Sequence, residues 1–346
     1  MRTRPLTTVP TKHTHEAFTL VELLVTVLVV TLVVLMVAQL MTSATAIART
    51  GHKHISTDTE ARTVLDRVAL DFAQMLKRSD VDYYVKQSAG YTGHGNGHGW
   101  GRQRTTDLGS DQIAFFSHVP GYYPSGSQSP ISLVAYRVNQ SSSSDPAYLR
   151  LERLGKGLLW NGASNSIPSM VFLPVTIGSL WPPAVNNNSN CGGSRISSCD
   201  PAYEIIGSGV FRFEYYYVLK DGWVTDWPWD KRDPQFGNQQ TIRDPINIGL
   251  TQVEAISVTI AVVDQVGRAL ISPDSLLDLA ADMADFKSTH GRGNPAHRIG
   301  EMEAQWNSAV EAVISTGLTN SSSLPVPPEA AKAIRIYNRT FDLKTL

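Results

Sequence analysis

Phe18–Met41 reads FTLVELLVTVLVVTLVVLMVAQLM, 24 residues with one charge, Glu22, and one amide, Gln39. At ~1.5 Å rise per residue such a helix is roughly 36 Å long, enough to cross a ~30 Å hydrocarbon core with some tilt. A secretory signal peptide is the usual competitor for an N-terminal apolar run, but its apolar core spans only about 7–15 residues and ends at a small-residue cleavage site. This run is longer, and no such site follows Met41; the small residue, Ala17, precedes it. The segment before it, MRTRPLTTVPTKHTHEA, is polar and carries Arg2, Arg4 and Lys12. The positive-inside rule keeps that segment in the cytoplasm and sends the chain after Met41 across. The reading is a single span, N-in and C-out.

Working outward, the remaining composition narrows the class. The chain has 346 residues, 30 Lys+Arg against 31 Asp+Glu and a net charge of −1. That balance excludes a generally basic nucleic-acid binder and an acidic, disordered solvating chain. Two cysteines, Cys191 and Cys199, make neither a disulfide-dense scaffold nor a four-cysteine zinc site. With 26 Gly and 19 Pro beside many Ser and Asn, the remainder reads as loop-rich β structure.

Beyond Met41 the helical period continues. Ala61, Leu65, Val68, Phe72 and Met75/Leu76 fall on one face, with Glu60, Arg62, Asp66, Arg67, Asp71, Lys77 and Arg78 on the others. One long helix is expected from Phe18 to about Arg78, with Gly51–His54 as a softening point. Its apolar half (18–41) suits lipid or neighbouring subunits; its amphipathic half (42–78) needs a globular domain to cover the stripe. Residues 79–346 supply it. Gln112–His118, Ile131–Val138, Tyr148–Leu154, Gly209–Leu219, Val253–Asp264 and Ala333–Leu343 are β-rich runs separated by Gly, Pro and Ser clusters. Leu149, Leu151 and Leu154 are expected nearly on one face, with Arg150, Glu152 and Arg153 mostly off it. Phe211, Phe213, Tyr215 and Tyr217 alternate with Arg212, Glu214 and Tyr216, and Ile256, Val258, Ile260 and Val262 share a face. These are antiparallel meander signals without a βαβ rhythm. LLDLAADMADFK and EMEAQWNSAVEAVIS, within about 270–332, read as a helical insertion before the last strand.

Glu22 is the odd residue. A carboxylate five residues into a membrane helix costs a few kcal/mol even on lenient insertion scales, so it is a functional hypothesis by default, the plain alternative being a helix-end carboxylate that snorkels to the headgroups. Ala17-Phe18-Thr19-Leu20-Val21-Glu22 resembles the class III signal of type IV prepilins and type II secretion pseudopilins. The resemblance implies cleavage by a prepilin peptidase between Ala17 and Phe18, removal of the 1–17 leader, N-methylation of Phe18, and retention of Glu22 as charge partner of the new amine. A buried carboxylate is tolerable when a cation pairs with it, and subunit stacking can bring that cation. The residue before the cut is usually Gly in that family and is Ala17 here. Processing would leave 329 residues with a net charge of −3.

The alternating aromatics, then Asp221-Gly222-Trp223 and Trp227, a Pro-containing loop and a Val/Ile-rich strand, are similar to the minor pseudopilin J family and its pilus counterpart, the W-type minor pilin. They are also similar to the larger prepilin-type proteins called Verru_Chthon cassette protein C. The resemblance covers about Ala17–Val263 in order, plus the final strand. It implies an α+β, pilin-like fold: a long N-terminal helix packed on an antiparallel sheet. It further implies a non-enzymatic subunit of a type II secretion or type IV pilus-like filament. The partners implied are prepilin peptidase, other pseudopilins or pilins through the N-terminal helix, and the bacterial inner membrane, with the folded domain in the periplasm.

Other constellations carry less. His94 and His98 sit in the glycine-rich GYTGHGNGHGW, which reads as a mobile loop rather than a metal or anion site. No P-loop, H-E-x-x-H or G-x-S-x-G motif occurs. Asp264, Asp274, Asp278 and Asp282 read as turns and helix faces, with calcium binding as the alternative. Trp223, Trp227 and Trp229 close a hydrophobic edge or, alternatively, stack on sugars. Cys191 and Cys199 enclose seven residues, and an oxidising periplasm would bridge them. No cofactor is expected. A membrane-anchored ligand-binding domain using the Trp cluster or the His/Gly loop is the competing function, though an anchor alone needs neither Glu22 nor an Ala-Phe junction.

Overall fold

The computed structural model describes residues 19–76, 84–86, 110–122, 130–140, 146–157, 203–220, 222, 224–225, 253–286 and 299–343. The layout is α+β: an N-terminal apolar helix and two antiparallel sheets. The chain divides into two compact units, residues 1–52 and 53–346. In the first, the described residues belong to helix α1 (Leu20–Ala73) and the Thr19 that starts it. The helical assignment continues through Gly51–His54, where a softening was expected. A lone glycine costs a helix only ~1 kcal/mol, too little by itself to end a helix of 54 residues.

In the second unit, Thr57, Ala61, Val64, Val68, Asp71 and Met75 are buried at steps of four and three, and Leu65 and Phe72 widen the stripe. The apolar periodicity is therefore the one that packs. Asp71, expected on a polar face, is instead fully buried within it.

The first sheet runs β1 (Tyr84–Lys86), β2 (Gln112–Ser117), β3 (Ser132–Val138), β4 (Leu151–Gly157) and β5 (Tyr203–Gly207) as a simple antiparallel meander. The second contains β6 (Val210–Leu219), β7 (Val224–Thr225), β8 (Val253–Val262) and β9 (Arg335–Asp342) in the order β7-β6-β8-β9. Between β8 and β9 lie α2 (Gln265–Leu270), α3 (Pro273–Asp282), α4 (Glu301–Thr316) and α5 (Pro328–Ala331). Ser272 caps α3, accepting from the Ser275 amide at 3.0 Å, with Pro273 in the first turn. Gly317 ends α4 in the left-handed conformation at φ 72°, the helix-terminating geometry that glycine adopts without a Cβ penalty.

Two cores result. In one, Ala61, Leu65, Val68 and Phe72 of α1 pack on both sheets. The Phe72 ring lies 5.3 Å from Phe115 of β2 and 5.4 Å from Phe341 of β9, so one side chain reaches both sheets. In the other, the opposite face of the second sheet packs on α2–α5 around the fully buried Trp306. The second sheet is thus the middle of a helix–sheet–helix sandwich.

Two strand expectations shift. Leu149 is not in β4; it lies in a turn at φ 54° and joins the second core, while Leu151 joins the first. The strand starts two residues later than the leucine pattern suggests because this turn occupies residues 146–150, and Arg153 consequently faces α1 at 0% exposure. In β6 a register shift between Val210 and Arg212 leaves Phe211 on the second-core face, while Phe213, Tyr215 and Tyr217 face α1. An extra residue in one strand turns its side chain to the other face.

Candidate functional site

The start of α1 is built by a reciprocal pair. The Thr19 amide and hydroxyl both donate to Glu22 Oε2, at 3.0 and 2.9 Å, and the Glu22 amide donates back to Thr19 Oγ1 at 3.3 Å. This is a capping box, whose sequence signature is T-x-x-E before an apolar run. That signature is present in Thr19-Leu20-Val21-Glu22, and it is the local reason for a carboxylate at this position that the membrane argument overlooks. The acid also sits in the first helical turn, where the helix dipole favours negative charge.

Leu20–Thr45 is a 26-residue stretch long and apolar enough to cross a membrane. Its side chains are exposed throughout, with Leu20 at 77% and Leu40 at 70%. A soluble protein rarely leaves such an apolar surface uncovered. The threonine hydroxyls within it need no water: Thr26 donates to the Leu23 carbonyl, Thr31 to Val27, Thr42 to Gln39, and Thr45 to Met41, at 2.7 to 2.9 Å. Back-bonding of this kind satisfies polar side chains where solvent is absent.

Further along α1, four carboxylates hold the helix to the β structure. Asp58 accepts from the Tyr337 hydroxyl of β9, and Asp66 accepts from Arg339 of the same strand at 2.5 Å. Glu60 accepts from the Gly209 amide at 2.7 Å and the Ser208 hydroxyl at 3.2 Å, closing the β5–β6 turn. A side chain at Gly209 would bring its Cβ to 2.3 Å from the Val263 carbonyl oxygen, so the turn admits only glycine.

Asp71 makes the deepest contact. Arg153 of β4 donates to it through Nε at 2.6 Å and Nη2 at 3.0 Å, and the Tyr136 hydroxyl of β3 donates to the same carboxylate. Both charged side chains have 0% exposure. Burial opposes the Arg153 cation, but the Asp71 bonds outweigh it and hold its pKa above the ordinary value. Burial and then the Asp71 charge push the Tyr136 phenol well above its ordinary pKa, so it stays a donor. Tyr136 and Arg153 are cross-strand partners, which aims both at one point on the helix.

The four aspartates weighed for calcium are engaged separately. Asp264 caps α2, accepting from the Gly267 amide at 2.9 Å. Asp278 and Asp282 hold the Thr319–Ser322 loop: Asp278 accepts from the Ser322 amide at 3.0 Å, and Asp282 from the Asn320 and Ser321 amides at 2.6 and 2.9 Å. Asp274 lies in the first turn of α3. Ala17, Phe18, His94, His98, Cys191, Cys199, Trp223, Trp227 and Trp229 lie outside the described residues. No protein-family model matches the chain, and no curated protein matches it.

Proposed function

We propose that the chain is a pilin-like structural subunit, a minor pseudopilin or minor pilin of a type II secretion or type IV pilus-like filament. On this reading it is processed before Phe18 and anchored in a bacterial inner membrane, with residues 53–346 in the periplasm. The observation that carries the reading is α1 itself. The same helix opens on Thr19 and Glu22, presents an uncovered apolar stretch of 26 residues, and contributes Ala61, Leu65, Val68 and Phe72 to a core shared by two antiparallel sheets. A membrane anchor by itself requires only the middle of those three features.

The assembly follows from the parts. Cleavage frees the Phe18 amine, and Glu22 supplies a carboxylate for the amine of a neighbouring or the same helix. The apolar helices then bundle, and the β-rich unit faces outward. The competing reading, a membrane-anchored ligand-binding domain, draws on His94, His98 and the Trp223–Trp229 cluster. Intact-mass measurement and N-terminal sequencing of protein from its native host test the proposal: the mature chain begins with an N-methylated Phe18. An amino terminus after Met41 overturns it.

A further inference from the structure

β9 is an edge of the second sheet. Among the described residues no strand pairs with its far side, while β8 holds its near side from Arg335 to Asp342 without a register shift. The phase of that ladder is set at its end, where the Leu343 amide donates to the carbonyl of Glu254, its next partner in register, at 2.7 Å. Hydrogen-bonded pairs alternate with non-bonded ones in an antiparallel ladder. Tyr337, Arg339 and Phe341 therefore spend their main-chain groups on β8, and Ile336, Asn338, Thr340 and Asp342 turn theirs outward. The outward amides and carbonyls stand in a row at the spacing that a second extended main chain matches.

Native proteins blunt such edges with shortness, bulges, proline or lysine. Among the described strands the other three edges are shorter: β1 and β7 have three and two residues, and β5 has five with a register shift against β4. β9 has eight, RIYNRTFD, with neither proline nor lysine. The charge of Arg339 is neutralised by Asp66. Both faces of the strand are already fastened. On one, Tyr337 and Arg339 donate to Asp58 and Asp66 of α1. On the other, Asn338 donates to Ser257 at 3.0 Å and Thr259 at 2.9 Å, and Thr340 donates to Ser257 at 3.2 Å. A strand held flat in this way has little ordering left to lose on pairing. Thr340 and Asp342 are exposed.

The direction of α1 decides the occupant. Asp58, Asp66 and Phe72 meet Tyr337, Arg339 and Phe341 in that order, so α1 and β9 run the same way. A second β9 joined edge to edge and antiparallel is related by a two-fold axis normal to the sheet, which turns the second α1 the opposite way. Helices that bundle from one membrane run alike. β7 is antiparallel to β6, β6 to β8 and β8 to β9, so β7 runs against β9. A neighbour in the same orientation therefore brings its β7-side edge to β9 antiparallel, with both α1 helices pointing alike. We propose that the outer edge of β9 docks an edge strand of a neighbouring filament subunit of the same fold, so that the second sheet runs on from one subunit into the next. This rests on the filament reading. The contact is heterologous, one edge from each partner, and it repeats in one direction. The strand it accepts is extended and uncharged, since Asn338 and Thr340 on one face and Tyr337 and the neutralised Arg339 on the other offer no unpaired charge opposite it.

A photo-crosslinking residue at Asp342 of the full chain, in the native host, tests it. The expected product joins that position to an edge strand of another chain that carries an apolar N-terminal helix. Thr340→Pro removes an outward amide that β8 does not use, so the internal ladder stands. The yield of the product then falls by about fivefold or more, the worth of one main-chain hydrogen bond. Crosslinks from Leu28 are unchanged in that variant. Should Thr340→Pro fail to fold, amide exchange of the wild type decides. The Asn338 and Thr340 amides gain protection in assembled filaments relative to the detergent-solubilised chain, and those of Tyr337 and Arg339 are protected in both. The docking is overturned by the absence of any protein crosslink from Asp342, or by a product that joins two β9 strands or an unrelated protein. It is equally overturned by an undiminished yield in folded Thr340→Pro, or by fast exchange of the Asn338 and Thr340 amides in filaments. Leu28 crosslinks that persist beside such a result leave the filament reading standing; their loss removes both.

Discussion

Arg153 grips Asp71 with two nitrogens, at 2.6 and 3.0 Å, across the contact between β4 and α1, with neither side chain reaching solvent. A buried ion pair of this geometry contributes little over a well-packed apolar pair, but losing one member strands the other charge. Asp71→Ala is therefore expected to destabilise the second unit by about 3–5 kcal/mol. The combination Asp71→Leu, Arg153→Met and Tyr136→Phe, which removes the three fully buried polar groups together and leaves only the more exposed Arg67 and Glu204, should recover most of that loss. Urea unfolding of the detergent-solubilised chain measures both. An Asp71→Ala loss within about 1 kcal/mol, the worth of a single ordinary hydrogen bond, would show that the clasp is incidental.

Glu22 has two separable duties, closing the capping box and offering a charge. Glu22→Gln retains an oxygen able to accept from Thr19 and removes the charge; Glu22→Val removes both. Val costs less than Glu in lipid, so both variants should insert normally. If the charge serves assembly, both lose their filament partners to the same extent. If the residue only starts the helix, Glu22→Gln behaves as wild type, and Glu22→Val loses about 1 kcal/mol of helix-end stability. Co-purification of partner subunits beside a protease-accessibility assay of topology separates the two, and normal recovery with Glu22→Gln would defeat the assembly role.

Acid acts on the loop that follows α4. Partial desolvation raises the pKa of Asp278, but the bonds from Thr319 and Ser322 outweigh it and hold it below the ordinary value. A carboxylate with a lowered folded pKa stabilises above the unfolded value of ~3.9 and loses that contribution as pH falls through the folded one. Exchange of the Ser322 amide, which donates to Asp278, should therefore quicken in acid, and Asp278→Asn should remove that response. Unchanged protection of this loop below about pH 4 would contradict it.

Much of this was legible in the chain and some was not, for identifiable reasons. The stripe Ala61, Leu65, Val68 and Phe72 and the shared face of Ile256, Val258, Ile260 and Val262 follow from periodicity alone, and both pack as their spacing requires. Asp71 and Arg153 were hidden because charge assigns a residue to the surface unless its partner is known, and the partners are 82 positions apart. The bulge at Phe211 and the left-handed turn at Leu149 each move a side chain by one position, which defeats any reading based on strict alternation. The short strands β1, β5 and β7 carry too few residues for a pattern to show. The capping box at Thr19 was readable, but the apolar run after it drew the interpretation of Glu22 toward the membrane.

If the chain is exported as proposed, an oxidising compartment would bridge Cys191 and Cys199. A bridge closing a loop of this size contributes ~2–3 kcal/mol on the chain-entropy account. Thiol labelling of exported material should reach neither residue before reduction and both after it. Two thiols that label freely without reductant would rule the bridge out and weaken the case for a periplasmic domain.

On the proposed function, lipid and the corresponding helices of other subunits cover the apolar surface of α1. A photo-crosslinking residue placed at Leu28, which is 62% exposed, reports its neighbours directly in the native host. Crosslinks are expected to other chains that carry an apolar N-terminal helix with a carboxylate in its first turn, and they are lost when Glu22 is replaced by Gln. Crosslinks to lipid alone, unchanged by Glu22→Gln, would contradict it.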